Sequence, residues 1–324
     1  MALANRSIGY DEVEARDLRF NLDKDSVPRY WMNNDPWSTS FFNSILAAVP
    51  DGERWVMQCV RQSLTRLQDE SVRKAGIAFI KQEHYHAREH DDMNNALIAQ
   101  GVPLDVVERS FKRIRGTLER LTPPDMHLSM MAAFEHFTAT FAAVFIDNPD
   151  MLDNSDKKVA AMLYWHFVEE TEHKSVTFDV FQDAVGSYPQ RVAGMLIASA
   201  IFLPMVEGHM LYLLYKEKQL LNWRSMLNCL KLQVGPRACS PACSLGITSR
   251  TTCPASTPGT TTTAARSASG RKPSMPPAIP PRPTKHSFTV PEPRARASTP
   301  RSPPEPRPVR FDAQSGPGAL PHLR

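Results

Sequence analysis

Cysteine is scarce in this 324-residue chain: there are 5, at Cys59, Cys229, Cys239, Cys243 and Cys253. The odd number and the lack of a Cys-x-x-Cys pair exclude a disulfide framework and a zinc ribbon, and a reduced, cytoplasmic setting is expected. The first residues, MALANRSIGYDEVEARD, hold no apolar run, so no secretory leader is expected. Strand-like alternation is missing throughout residues 1–233, which excludes a β fold there. Acidic residues are nearly missing from one part only: residues 234–324 carry 13 Lys+Arg against 3 Asp+Glu and hold 19 of the 28 prolines. The overall charge of +4 therefore arises in that segment, and residues 1–233 are mildly acidic. The basic segment has no lysine cluster and no interleaved aromatics, so nucleic acid is not an expected partner.

What residues 1–233 do contain is helical period, broken at Pro, Gly and Asp/Asn clusters. The pattern predicts helices over Ser38–Val49, Asp51–Leu67 with Asp51 as N-cap, Glu70–Gln100, Leu104–Leu121, Asp125–Ile146, Ser155–Val185 and Gln190–Lys218. Seven helices with short connections describe an all-α bundle. In the seventh, the apolar stretch Val192–Val206 is interrupted by Pro204 and followed by Glu207, which favours a buried or interfacial helix over a membrane span. Residues 192–215 are expected to touch a membrane at its periphery, if at all. The domain organisation expected is an extension at 1–28, a helical domain at 29–233 and a disordered Pro/Arg/Ser-rich tail at 234–324.

Two Glu-x-x-His motifs fall inside long predicted helices, Glu83-His84-Tyr85-His86 and Glu170-Thr171-Glu172-His173. Residues three apart share a helix face, so each pair aims a carboxylate and an imidazole at one point. Each motif is preceded by a glutamate on the helix before it, Glu53 ahead of Glu83 and Glu135 ahead of Glu170. Both separations are those of a helix hairpin, which sets each glutamate level with its motif. One Glu from each of two helices and a Glu-x-x-His from each of two others is the ligand pattern of ferritin-like di-iron and di-manganese carboxylate bundles. Glu53, Glu83, His86, Glu135, Glu170 and His173 are therefore the expected ligands of two divalent metal ions, iron first and manganese second. His90 and His166 stand one turn outside the motifs and His136 adjoins Glu135; these three are candidates for further ligands or outer partners. Glu169 is also four residues from His173 and competes with Glu170 for the ligand position.

The residues carrying these motifs also resemble a known family. Arg29-Tyr30-Trp31, Asp35-Pro36, Phe41-Phe42-Asn43, Gly52-Glu53-Arg54, Phe79 through His86 with His90, Glu135 through Ala139, and Trp165 through Lys174 followed by Phe178-Asp179-Val180 are similar to the bacterial predicted metal-dependent hydrolases. The resemblance covers about residues 20–225. It implies a ferritin-like metal site on the same six residues, with His90, His136 and His166 nearby. The likeness stops in the tail, where such families carry a segment similar to Pro-Gly-Phe-His-Pro. One allowed choice of codons for Cys253 through Thr262, read in a shifted frame, encodes that segment, so the tail is read as a frame-shift product, which the coding DNA would test.

Three functions compete at this point: a dinuclear-metal hydrolase, a di-iron oxidase or oxygenase acting on a hydrophobic substrate, and a metal-storage bundle without one. Phe134, Phe137, Phe141, Phe145, Phe167, Met195, Ile201 and Phe202 fit an ordinary bundle core first, and a tunnel for a hydrophobic small molecule second.

Overall fold

A computed structural model describes residue 13 and residues 15–173 and 175–234. The tail expected to be disordered, from 235 onward, lies outside the described residues, as does most of the segment 1–14. Among the described residues every regular element is helical, in agreement with the all-α expectation: α1 (Pro36–Leu46), α2 (Val49–Ser63), α3 (Glu70–Ala99), α4 (Leu104–Leu121), α5 (Pro124–Asp147), α6 (Lys157–His173), α7 (Val176–Ala184), α8 (Tyr188–Lys216) and α9 (Trp223–Val234).

Local chemistry sets the ends. Asp35 caps α1 by accepting from the Ser38 amide at 2.8 Å, and Asp69 caps α3 through the Ser71 amide at 2.8 Å. Asp156 accepts from the amides of Lys158 and Val159, both at 3.0 Å, at the start of α6. Gly101, at φ 81°, follows α3 in a left-handed conformation that suits glycine.

Three boundaries differ from expectation. Asp51 is not an N-cap: α2 begins earlier, at Val49, and Pro50 sits in its first turn, where proline's missing N–H costs nothing. The predicted helix Ser155–Val185 is two helices, α6 ending at His173 and α7 starting at Val176. The break turns Val176, Val180 and Phe181 of α7 onto Trp55, Val60, Phe79 and Leu128, an apolar surface that a continuous helix would pass by. Helix α9 lies beyond the last helix that the pattern predicts; its short apolar face buries Cys229 beside the α1–α8 pair.

Two apolar layers result. One gathers Phe41, Phe42, Met93, Leu97, Phe145, Leu163 and Leu213, and the other Trp55, Val60, Phe79, Leu128, Met131 and Phe181. Along α3 the order is Phe79, then Glu83, His86 and His90, then Met93; along α5 it is Met131, then Glu135, then Phe145. The same succession holds from Leu163 through His166, Glu170 and His173 to Val176. A buried polar layer thus lies between two hydrocarbon layers. Among the described residues two helices are long and apolar enough to cross a membrane, Pro124–Asp147 and Tyr188–Lys216; the apolar 18-residue stretch of the first is 61% buried and that of the second only 28%.

Candidate metal centre

The polar layer draws one side-chain set from each of α2, α3, α5 and α6. Glu53, Glu83, Glu135 and Glu170 are all buried, as are His86, His90, His166 and His173. Donor atoms of Glu83, His86, Glu170 and His173 lie within 4.8 Å of one another, and so do those of Glu53, His86 and His166. Glu135 joins the first group through His173, with Oε2 at 3.8 Å from Nδ1. His136 belongs to neither group; it is buried next to Phe137, with ring centroids 6.3 Å apart.

Each converging histidine points one ring nitrogen inward and ties the other to a partner. His86 turns Nδ1 toward Glu83, while its Nε2 lies 3.0 Å from Glu169 Oε2. His173 turns Nδ1 toward Glu83, 2.8 Å away, and its Nε2 lies 3.1 Å from Gln82 Oε1. Gln82 in turn donates from its amide nitrogen to Glu172 at 2.8 Å. His166 faces Glu53 and Glu170 with Nε2, at 3.7 and 2.7 Å, and its Nδ1 meets His90 Nε2 at 2.6 Å. An outer acceptor that fixes the tautomer leaves the inward nitrogen free to ligate, as in metal-bound histidines.

Glu169 therefore stands behind His86, and Glu170 faces the other carboxylates. Glu169 also accepts from Arg16 at 2.9 Å and from the Trp165 indole at 2.9 Å. Arg16 belongs to the segment before α1, which lies over the α3 and α6 surface: its guanidinium pairs with Glu172 at 2.7 Å, and the Phe20 amide donates to Glu89 at 2.9 Å.

Sequence reasoning did not find Gln82, Arg16 or Thr138, whose hydroxyl donates to Glu170 at 2.6 Å. A signal for Gln82 existed. It precedes Glu83 as Glu169 precedes Glu170, so both motifs read Gln/Glu-Glu-x-x-His, and each leading residue reaches across to the opposite histidine.

Electrostatics make the cluster costly without a cation. Burial, reinforced by the carboxylates of Glu83, Glu170 and Glu135, holds Glu53 well above the usual carboxylate range. Burial and the charges of Glu170 and Glu83 do the same to Glu135. Burial raises Glu83 too, against the pull of His173. Burial would lower His173, but Glu83 and Glu170 outweigh it and hold that ring well above its ordinary value. At Glu170 burial is outweighed by the hydrogen bond from His166 and by the nearby His173 ring, which hold it well below the usual range. Burial, with the neighbouring histidines, depresses His86 and His90.

The residues present fit divalent metal. Both carboxylate oxygens of Glu53 and of Glu83, Glu135 Oε2, and Nδ1 of His86 and His173 are buried with no partner in hydrogen-bonding geometry. A buried polar atom without a partner is expensive, and a buried charge more so. A cation at these atoms removes both costs. The donors are oxygen and imidazole nitrogen; the two described cysteines, Cys59 and Cys229, belong to the apolar layers instead.

Comparison with known proteins agrees with this chemistry. No curated protein and no solved structure matches the chain significantly. The family described as predicted metal-dependent hydrolase matches residues 14–249, which runs from the segment carrying Arg16 past the end of α9. With that match over most of its length, the chain belongs to the predicted metal-dependent hydrolase family.

Proposed function

We propose that the protein is a dinuclear-metal enzyme. Glu53, His86 and His166 would hold one ion and Glu135 and His173 the other, with Glu83 and Glu170 available to both. The observation that carries this reading is the set of orphaned oxygens and ring nitrogens on four helices, buried between two hydrocarbon layers. Four carboxylates match the charge of two divalent ions, and the oxygen and nitrogen donors suit iron or manganese.

A bound metal pair supplies an acidified water and a polarised substrate oxygen, or, with iron, electrons for dioxygen. This chain's own residues do the rest. Glu169 and Gln82 orient His86 and His173. An ionised Glu170 accepts from His166 Nε2–H, so a neutral His166 must accept at Nδ1 from His90 Nε2–H. Ligation through Nε2 would reverse that link, His166 Nδ1–H then donating to His90.

Hydrolysis is the reading that accords with the family description. Oxidation is the second reading, and one observation favours it: near His166 and Glu170 the neighbouring wall is hydrocarbon apart from Thr138, with no donor placed for a polar leaving group.

Metal analysis of the full chain after expression with iron or manganese tests the proposal. Two ions per chain are expected, and Glu83→Ala and Glu170→Ala should lose them while staying helical. A folded wild-type chain that takes up neither metal overturns the reading. An absorption band appearing when the iron(II) protein meets air selects oxidation; turnover of esters with redox-inert zinc selects hydrolysis.

A further inference from the structure

An apolar pocket runs from the surface to the metal centre. Its enclosed part holds about 40 Å³, and it opens outward between side chains that are only half-buried. Its rim is half-buried and comes from α1, α2, α5 and α8: Ile45, Val49, Phe141 and Phe202. Its deeper wall is buried and consists of Leu46, Phe137 and Phe167. The inner end is formed by His166 and Glu170, with the Thr138 hydroxyl already committed to Glu170. The rings are held by one another: Phe137 stacks on Phe202 at 5.6 Å, and Phe141 meets Phe167 edge-on at 6.0 Å.

We infer that this pocket receives the hydrocarbon chain of the substrate, with the reacting group at the His166–Glu170 end. The assignment rests on the dinuclear reading for the chemistry at that end. Between rim and ligands the wall offers no charged group and no free donor or acceptor. A polar substrate body would lose its water there and gain no partner, whereas a methylene chain loses nothing. Each methylene moved from water into such a wall is worth about 0.8 kcal/mol, so affinity should grow with chain length until the pocket is full.

The test uses the full chain, chelator-treated and metal-loaded, with a fluorescent polyene fatty acid as reporter. Decanol, decanoate and naphthalene compete against it. Decanol should displace the reporter from both forms, and more strongly than hexanol or naphthalene. Decanoate should gain on metal loading, because its carboxylate then meets a cation in place of buried carboxylates. Phe202→Trp, at the rim, and Leu46→Trp, deeper in, should raise the decanol concentration needed by about tenfold or more. Helix content and thermal midpoint identify a variant that has not folded. With manganese bound, the decanol protons should relax faster, a readout that a chain lying elsewhere would not give.

Absence of saturable binding to the folded wild-type chain overturns the inference. So does tighter displacement by naphthalene, or manganese without effect on decanol. Metal content measured on the same preparations separates the two readings: metal uptake without chain binding defeats this inference alone, and chain binding without metal uptake defeats the dinuclear one.

Discussion

His86 on α3 is held by Glu169 on α6, Nε2 to Oε2 at 3.0 Å, although Glu169 lies in the opposite Glu-x-x-His motif. The counterpart bond runs the other way, from His173 on α6 to Gln82 on α3. The two motifs are cross-braced, and the braces are unequal: a carboxylate backs His86 and a neutral amide backs His173. A carboxylate acceptor makes its imidazole the more basic ligand. The Glu53 side of the centre should therefore bind its ion more tightly.

Glu169→Gln removes that charge at nearly constant volume. Metal affinity on the His86 side is expected to fall about 10- to 100-fold, the usual cost of losing an outer partner. Competition titration against a chromophoric chelator reads the change. Two binding steps of unaltered strength, in a variant with wild-type helix content, would show that Glu169 does not tune His86.

Stripping the metal should give the protein a characteristic pH response. Glu53 and Glu135 are raised from 4.5 by burial and by each other's neighbours, so the folded state holds protons that the unfolded chain has released. Their stabilising contribution is complete below 4.5 and is lost as pH rises toward their folded values. His173 is raised from 6.5 and acts in the same sense above that pH. His86 and His90 are depressed and act oppositely, but only below 6.5, where the unfolded rings charge. Above pH 6.5 the signs agree, and the metal-free thermal midpoint should fall as pH rises toward the folded values of these groups. Added manganese should raise it most at the alkaline end, because metal and protons compete for the same atoms. A metal-free midpoint that climbs over this interval contradicts the assignment of these groups to one buried cluster.

The ligand helices were legible because the pattern is local. Glu83 with His86 and Glu170 with His173 share a helix face by spacing alone, and the distances back to Glu53 and Glu135 fit a hairpin. Arg16 was not legible, since its bond to Glu169 spans 153 positions in the sequence and has no periodic signature. Nor was the break between α6 and α7, where the residues keep helical period on both sides. Tertiary packing decides that bend: Phe181 finds buried neighbours on α2, α3 and α5 only if the chain turns after His173. Whether Glu169 or Glu170 faces the cluster was likewise undecided by spacing, because both lie within one turn of His173. Helix rotation settled it, and rotation is set by the apolar residues packed on either side.

Helices α5 and α8 approach closely at Gly194. A Cβ there would lie 2.7 Å from Ser129 Cβ and 2.9 Å from the Ser129 carbonyl carbon, closer than real side chains allow. Gly194→Val should destabilise the metal-free protein by about 1–3 kcal/mol, the range for overpacking, as read by urea unfolding. Adding Ser129→Gly removes one clashing side chain, so the double variant should recover part of the loss. Equal stability of Gly194→Val and wild type would mean that the two helices are farther apart than this crossing.

Arg16 gives the segment before α1 a route to the metal centre. Its guanidinium bonds Glu169, which bonds His86. Burial pushes the Glu169 carboxyl up, and Arg16 is the chief group opposing that shift. The Arg16 side chain is 38% exposed, so Arg16→Ala should cost little stability, about 1 kcal/mol or less. Its effect should appear in the pH dependence of metal affinity instead. Without the guanidinium, Glu169 takes up its proton at a higher pH and ceases to be a charged acceptor for His86 Nε2–H. Metal affinity in Arg16→Ala should therefore match wild type at alkaline pH and fall away sooner on acidification. Arg16→Lys, which keeps the charge, should restore most of the wild-type profile. A uniform loss of affinity across the pH range, unaffected by the lysine, would assign Arg16 a packing role alone.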